Sequence, residues 1–249
     1  GISQARSLPT QNSPLAANVA LHRAVGTWAH QVDAFIALTS FQRDRMIAAG
    51  LPADLVHVKP NFYPGLPTVL PWCDRTPSVV FAGRLGAEKG VLALVKAWLL
   101  WGAAAPELRI VGDGELRSEL ERLAATAPQV PIRLLGQLAG AQAQDEIARA
   151  KLLVLPSEWF EGFPMVVREA FAFGTPAAVS NIGPLPSIVG HGQNGLVFEP
   201  ANPQHLVNTV KAAWDSAGML ERLGAGARQS FEAHYTATSN YQPLMQIYA

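Results

Sequence analysis

Two clusters of glycines and charged residues follow strand-like runs of the sequence. The first cluster spans residues 83–90, where three glycines accompany the cations Arg84 and Lys89. Glycine lets a backbone turn sharply or approach a ligand closely, and cations bind phosphate oxygens through charge-assisted hydrogen bonds. These residue types at this spacing predict a diphosphate site. The spacing leaves open the alternative of an ordinary strand–helix turn with two solvated cations.

The second cluster lies at residues 156–176 and again follows an apolar run. Pro164 is typical of the first position of a helix, where its missing N–H costs nothing. The backbone N–H groups of Phe163, Met165 and Val166 would then lack helical partners and face an anion, helped by the helix dipole. The pattern predicts a second element that binds phosphate.

Two carboxylates accompany this predicted helix start. Glu161 stands in the preceding loop, and Glu169 lies in the helix, where side chains lean back toward the N-terminus. Carboxylates accept hydrogen bonds from hydroxyl groups, so the pair predicts sugar recognition beside the phosphate site. Alternatively, Glu161 is a solvated loop residue and Glu169 pairs with a nearby Arg or Lys.

Strand-like and helix-like segments alternate along the chain and must position both clusters. Most of the apolar runs lack the two-residue polarity period of a half-exposed strand, which predicts a parallel sheet covered by helices on both faces. The predicted strands span residues 35–38, 55–58, 78–82, 108–111, 132–135, 152–155, 176–179 and 196–198. The predicted fold class is therefore α/β, with a Rossmann-like, doubly wound parallel sheet that binds ligands at the carboxyl ends of its strands.

Composition and charge limit the classes of function. Because Lys plus Arg and Asp plus Glu number 19 each, net charge gives no reason to expect a nucleic-acid partner. The single cysteine, Cys73, excludes an intrachain disulfide and favours a reducing, cytoplasmic location. The most apolar stretch, residues 91–105, is too short to span a bilayer, so no transmembrane segment is predicted. Residue 1 is Gly and residues 3–14 lack a signal-peptide pattern, so we expect the chain to begin inside a longer protein or after a processing or cloning site.

Several motifs together resemble glycosyltransferase family 4, whose members are retaining enzymes of the GT-B fold. The motifs, in matching order and spacing, are Gly-Arg-Leu-x-x-Glu-Lys-Gly at 83–90, Val-Gly-Asp-Gly at 111–114, Leu-Gly at 135–136, two Glu at 161 and 169, Gly-Thr-Pro at 174–176 and Gly-Gln-Asn-Gly-Leu at 192–196. Residues 32–44 and 58–61 look like the end of the family's N-terminal domain. One departure is Ser187, which follows Pro186 where the family often has Glu.

The resemblance implies a role for each site residue. Arg84 and Lys89 would hold the donor diphosphate and stabilise the leaving nucleotide, while Glu161 would contact the transferred sugar, and these three form the implied catalytic set. Glu169 would bind the ribose hydroxyls, and Gly136 would lie near the base. The implied donor-binding residues are Gly83, Gly136, Gly162, Phe163, Met165, Val166 and Glu169. No metal and no cofactor are expected, because the nucleotide-diphosphate sugar, a UDP-sugar or a GDP-sugar, is a substrate.

The resemblance also divides the chain. We predict residues 1–60 as a remnant of the acceptor-binding N-terminal domain, residues 61–77 as a proline-rich linker, residues 78–235 as the donor-binding domain and residues 236–249 as a C-terminal helix. None of the six histidines follows the family's catalytic motif. We therefore expect this chain to bind a donor but to lack transfer activity. The acceptor hydroxyl would belong to a saccharide, a lipid or a small molecule, and the longer protein would be cytoplasmic or docked peripherally at a membrane.

Two other functions remain open at this stage. A nucleotide-sugar epimerase of the same fold would bind the donor with similar carboxylates and would need no acceptor. A non-catalytic module would bind the nucleotide sugar without turnover. A dinucleotide-binding domain is disfavoured, because no Gly-x-Gly-x-x-Gly opens a helix after the first strand with an acidic residue some 20 positions further on.

Overall fold

The computed structural model describes residues 14–248 and places eight strands in two parallel sheets. The expectations about the start of the chain fall largely on residues 1–13, which lie outside the described residues, as does residue 249. The strands are β1 (Phe35–Ala37), β2 (Val56–Val58), β3 (Thr76–Ala82), β4 (Glu107–Val111), β5 (Ile132–Gly136), β6 (Ala150–Leu155), β7 (Ala177–Ser180) and β8 (Gly195–Phe198). Each of the eight predicted strands is present, with ends that differ by up to two residues.

The helices alternate with the strands as predicted. They are α1 (Pro14–Ala24), α2 (Thr27–His30), α3 (Ser40–Ala48), α4 (Val91–Trp101), α5 (Arg117–Ala125), α6 (Gly140–Arg149), α7 (Met165–Ala172), α8 (Leu185–Ile188), α9 (Pro203–Asp215), α10 (Met219–His234) and α11 (Ala237–Tyr248). Between residues 14 and 248, the helices are all too short or too polar to cross a bilayer.

The larger sheet has the strand order β5-β4-β3-β6-β7-β8, and all of its pairs are parallel. The α/β class with a parallel sheet is therefore confirmed. The chain leaves β3 toward β4 on one side and returns to β6 on the other, so the loops after β3 and β6 diverge. Such a switch point is where open α/β sheets bind their ligands.

Helices cover both faces of this sheet, as the lack of period-two polarity predicted. Successive residues of β3 point to opposite faces, where Val79 and Val80 join two separate apolar cores and are fully buried. Helices α4, α5 and α9 complete one core, and α6, α7 and α10 complete the other. Trp98 of α4 is fully buried and donates its indole N–H to the carbonyl of Pro106 at 2.8 Å.

The predicted linker ends earlier than expected. Strand β3 begins at Thr76, which pairs with Ala150, and a short 3-10 turn at Trp72–Asp74 precedes it. Between them Arg75 is buried and donates hydrogen bonds to the carbonyls of Ala150 and Phe173 at 3.1 and 2.6 Å. Burial lowers the pKa of Arg75 to about 10. These bonds hold the end of the linker against the sheet, which is why the strand starts inside the predicted linker.

The smaller sheet pairs β1 with β2 only, in register from Phe35 with Val56 to Ala37 with Val58. Helix α3 packs on it, and Arg43 donates from Nε to the carbonyl of Val56 at 3.0 Å. Two strands bury little surface on their own. The assignment of residues 1–60 to a domain remnant stays a prediction.

The two loops at the switch point touch through their backbones. Gly90 precedes α4 with φ +65°, and a Cβ at this position would lie 1.9 Å from the carbonyl oxygen of Pro156, the residue after β6. The N–H of Glu158 also donates to the carbonyl of Glu88 at 3.0 Å. Glycine at position 90 therefore allows the loops to meet.

Replacing this glycine tests the contact. Gly90→Ala should lower the free energy of unfolding by about 2–5 kcal/mol, because it adds a steric overlap to the strain of a left-handed backbone. Gly65→Ala is the matched control, since Gly65 has φ +86° but open space around the Cβ position. It should lose only about 1–2 kcal/mol. Equal losses in urea unfolding would contradict the role given to the loop contact.

Candidate active site

A cavity of about 300 Å³ opens at the carboxyl ends of β3 and β6. It is lined by Phe81, Ala82, Gly83, Arg84, Lys89, Leu155, Glu161, Phe163, Pro164, Met165 and Val166. Seven of the ten predicted site residues therefore line one cavity, and Gly162 stands between two of them. The other two, Gly136 and Glu169, do not line it.

The turn after β3 is braced by the turn after β4. Gly83 donates its N–H to the carbonyl of Val111 at 3.0 Å, and Leu85 donates to that of Asp113 at 2.9 Å. Gly112 has φ +135°, and a Cβ there would lie 1.9 Å from the carbonyl oxygen of Gly83. The Gly-Asp-Gly turn thus fixes the backbone beside the cavity, which explains why both glycine motifs belong to one site.

The two cations of this turn have different surroundings. Arg84 is 72% exposed and contacts Glu88, four residues along the chain, at 2.5 Å. Lys89 is 25% exposed, and its Nζ lies 2.7 and 3.0 Å from the two carboxylate oxygens of Glu161. The alternative of two solvated cations thus describes Arg84 but not Lys89.

Glu161 is held from two sides rather than solvated. Its side chain is 16% exposed, and besides Lys89 it accepts a hydrogen bond from Ser157 Oγ at 2.5 Å. Ser157 is fully buried at the end of β6, so it fixes the carboxylate against the sheet. Ser157 was not predicted as a site residue, although a serine two residues after a buried strand and four residues before Glu161 was a usable signal.

Helix α7 begins one residue later than predicted. Pro164 is at the N-cap with an extended backbone, and Met165 is the first helical residue. The carbonyl of Pro164 accepts from Val167 at 3.0 Å. Within residues 14–248, the backbone N–H groups of Phe163, Met165 and Val166 donate to no protein acceptor. They lie at the cavity wall beside Lys89, as an anion site requires.

Glu169 lies deeper along α7, away from the cavity lining. Its carboxylate is 25% exposed and reaches Arg168 Nη2 only at 4.0 Å, while Arg168 donates to the carbonyl of Phe62. Burial raises the pKa of Glu169, and the charge of Arg168 opposes this rise only partly. The same carboxylate adds to the rise that burial causes in the pKa of Tyr63. Glu169 is thus a desolvated carboxylate with a weak cationic partner.

Gly136 ends β5, two strands away from β3 in the sheet. Its φ is +73°, and its carbonyl accepts the N–H of Gly112 at 2.8 Å. A Cβ at this position would come within 3.3 Å of Arg117 Nη1. Gly136 therefore lies at the carboxyl end of its strand, on the same side of the sheet as the cavity, but it does not line the cavity.

A residue from the beginning of the chain also reaches the site. Gln42 of α3 donates from Nε2 to the carbonyl of Gly162 at 2.7 Å. Gln42 lies in the segment 32–44 that resembles the family's N-terminal domain, but nothing in the sequence indicated that its side chain reaches a loop 120 residues away.

Comparisons with known proteins agree with this geometry. A family model described as glycosyl transferases group 1 matches residues 68–230. An uncharacterized glycosyltransferase of Methanocaldococcus jannaschii is 29% identical over 180 residues, or 70% of this chain and 45% of that protein. The alpha-D-kanosaminyltransferase of Streptomyces kanamyceticus is 26% identical over 178 residues, or 70% of this chain and 46% of that enzyme. This chain thus spans less than half the length of these relatives.

A solved structure shows the same fold. A protein of Anabaena, crystallised in complex with UDP and glucose, superposes with a TM-score of 0.74 at 21% identity, covering 95% of this chain and 69% of that one. At this identity the likeness shows the fold. The Rossmann-like fold class predicted from the sequence is confirmed.

The pKa of Glu169 predicts how the stability of the protein depends on pH. A carboxyl whose pKa is raised by folding favours the folded state while it is protonated, and this contribution is lost as pH rises through the folded pKa. Glu169→Gln cannot ionise, so this variant should be more stable than the wild type at pH 7. The difference should shrink toward zero below the ordinary glutamate pKa of about 4.3.

Urea unfolding at pH 7 and pH 4 measures this difference. Glu221→Gln, at an exposed position of α10, is the control and should change the stability little at either pH. A Glu169→Gln variant that loses several degrees of melting temperature at pH 7 would show instead that the contact with Arg168 stabilises the fold.

Proposed function

Because the chain belongs to the group 1 glycosyl transferases, we propose that its cavity is the nucleotide-sugar site of a sugar transferase. One observation carries the proposal. The Lys89–Glu161 ion pair and the unpaired N–H groups at the start of α7 converge on the same cavity wall. Such a wall offers fixed positive charge to a diphosphate and a carboxylate to sugar hydroxyls.

The cations would stabilise the departing nucleotide. In transfer, the bond from the sugar's anomeric carbon to the diphosphate oxygen breaks, a bond to the acceptor oxygen forms, and the proton of the acceptor hydroxyl passes to the departing diphosphate. Negative charge grows on the diphosphate, where Arg84 and Lys89 stabilise it. Lys89 must then share its ammonium group between the phosphate and Glu161. Glu161 is proposed to accept hydrogen bonds from the transferred sugar.

Two further roles extend the site beyond the cavity. We propose that Glu169 accepts hydrogen bonds from the ribose hydroxyls, which its lack of a close cationic partner supports. Gly136 is proposed to lie near the base, since it is the last residue of β5 and the cavity also lies at the carboxyl ends of the strands. Gly83, Gly162, Phe163, Met165 and Val166 would contribute backbone groups to the phosphates and the sugar.

The donor is proposed to be a UDP-sugar or a GDP-sugar. UDP has the better support, because the Anabaena protein of the same fold binds UDP. Within group 1, we propose membership of family 4, transfer of a hexose and retention at the anomeric carbon, on the strength of the motif resemblance. We propose that no metal and no cofactor take part, so that nucleotide binding should survive EDTA.

We propose that the chain is part of a longer protein, which supplies the acceptor site. Its acceptor hydroxyl would be that of a saccharide, a lipid or a small molecule, and nucleic acid is not a proposed partner. A cytoplasmic location, with peripheral docking at a membrane, is proposed for it.

Nucleotide binding tests the site. Arg84→Ala should weaken binding of the nucleoside diphosphate by roughly 10- to 100-fold, because a hydrogen bond to a charged group is worth about 1.5–3 kcal/mol. Arg149→Ala is the matched control, since Arg149 forms a similar exposed ion pair one helical turn from Asp145, on α6. A thermal-shift screen with UDP, GDP, ADP and their sugar conjugates selects the nucleotide. Calorimetry showing unchanged affinity in Arg84→Ala would remove Arg84 from the site.

Transfer by the isolated chain is a second test. We expect 249 residues that span less than half of their relatives to bind the donor without transferring the sugar. Orientation of the reactants contributes about 7–11 kcal/mol to a barrier, and the acceptor side of the cleft would be missing. Robust turnover with a defined acceptor would contradict this expectation.

Product analysis of the longer protein separates the other functions. An epimerase would convert the nucleotide sugar without an acceptor. A binding module would hold UDP and fail with every acceptor offered.

A further inference from the structure

The hydrogen bond from Gln42 to Gly162 joins two distant parts of the chain. Among the described residues, it is the one hydrogen bond from β1, α3 or β2 to residues 64–248, while Lys59, just after β2, donates to Asn240 at 2.8 Å. Gly162 directly follows Glu161, whose carboxylate meets Lys89. A contact made by α3 thus reaches the backbone next to the proposed sugar-binding carboxylate.

Gln42 is itself held in one orientation. Its backbone N–H donates to the hydroxyl of Thr39, which caps α3, at 3.1 Å. Its side-chain Oε1 accepts the N–H of Leu38 at 2.8 Å. With the amide oxygen engaged, the NH2 group faces the carbonyl of Gly162 as a donor. A glutamate at this position would keep the bond to Leu38 and lose the bond to Gly162.

A second contact accompanies the hydrogen bond. The ring of Phe41 meets the ring of Phe160 edge to face, with centroids 5.5 Å apart. Phe160 precedes Glu161 and Gly162 follows it, so α3 touches the loop on both sides of this carboxylate. Edge-to-face pairs of this kind add about 0.5–1.5 kcal/mol beyond their buried area.

The loop between β6 and α7 depends on such contacts. From Trp159 to Phe163, no backbone hydrogen bond joins the loop to another backbone group of residues 14–248. Trp159 and Phe160 are mostly exposed. The loop is held by Glu161, through Lys89 and Ser157, and by α3. At its end, Phe163 packs against one core and meets the ring of Tyr235 edge to face, with centroids 6.0 Å apart. Apart from the N–H of Phe163, the phosphate-facing groups belong to helix α7 and to a turn braced by the turn after β4.

We propose that Gln42 is a positioning residue for the sugar moiety of the donor. It acts through Gly162 to keep Glu161 where it can accept hydrogen bonds from sugar hydroxyls, and it contacts neither Arg84 nor the phosphate-facing N–H groups of Met165 and Val166. The proposal rests on the proposed function of the cavity. It gives residues at the start of the chain a role in recognising the donor sugar.

Calorimetry with UDP and UDP-glucose tests this role. Gln42→Ala and Gln42→Glu should bind UDP as the wild type does, and should bind UDP-glucose about 3- to 10-fold more weakly, as expected for one lost hydrogen bond. Gln204→Ala is the matched control, since Gln204 also lies in the first turn of a helix and donates to an exposed side chain, that of Asn208. Equal effects on both ligands, or no effect on either, would overturn the proposal.

Limited proteolysis provides a readout that needs no ligand. Trp159 and Phe160 are mostly exposed aromatic residues, so chymotrypsin should cleave after them faster in Gln42→Ala and Gln42→Glu than in the wild type, because a less restrained loop fits a protease more readily. Unchanged cleavage in the loop would overturn the role of Gln42 even if both ligands bind. A wild-type chain that binds none of the nucleotides in the thermal-shift screen would contradict the proposed function instead, and the proteolysis result would still decide whether Gln42 holds the loop.

Discussion

At the ends of β3 and β6, the backbone of Gly90 meets the carbonyl of Pro156 with no space for a side chain between them. The two loops diverge from neighbouring strands, so this contact sets the distance between the walls of the cavity. Lys89 precedes the contact on one side, and Ser157 follows it on the other. The two loops are also joined through side chains, because Glu161, which accepts a hydrogen bond from Ser157 of its own loop, forms an ion pair with Lys89. The backbone contact therefore sets the spacing of the cavity walls, and the charged side chains bind across a space that is already fixed.

Both cations of the site form ion pairs with carboxylates, and a bound phosphate would compete with these carboxylates. Lys89 is neutralised by Glu161 and Arg84 by Glu88, so the side chains of the cavity carry little uncompensated charge. An entering phosphate would compete for cations that are already engaged. Glu169 is the exception, because its carboxylate is desolvated without a close partner. In the proposed function, the hydroxyl groups of a ribose would supply the hydrogen bonds that this carboxylate lacks.

The fold and most of the site could be predicted because they depend on local patterns. Apolar runs placed every strand, and the motif spacing identified seven residues that line one cavity. The start of β3 was missed, because Arg75 holds the chain to the sheet through residues far along the sequence. Gln42 was missed for the same reason. The functional roles of all ten site residues stay predictions, and two of them, Gly136 and Glu169, also lie outside the cavity lining.

The strand order has a consequence for how the protein is made. Strand β3 pairs with β4 soon after it in the sequence, but its other neighbour is β6, with Val80 beside Leu153. Pairing between distant segments costs more chain entropy and slows folding. On a ribosome, which releases the chain from its N-terminus, the first cavity wall emerges well before the second. Until β6 arrives, one edge of β3 is an unpaired row of peptide groups, open to another chain or to a chaperone.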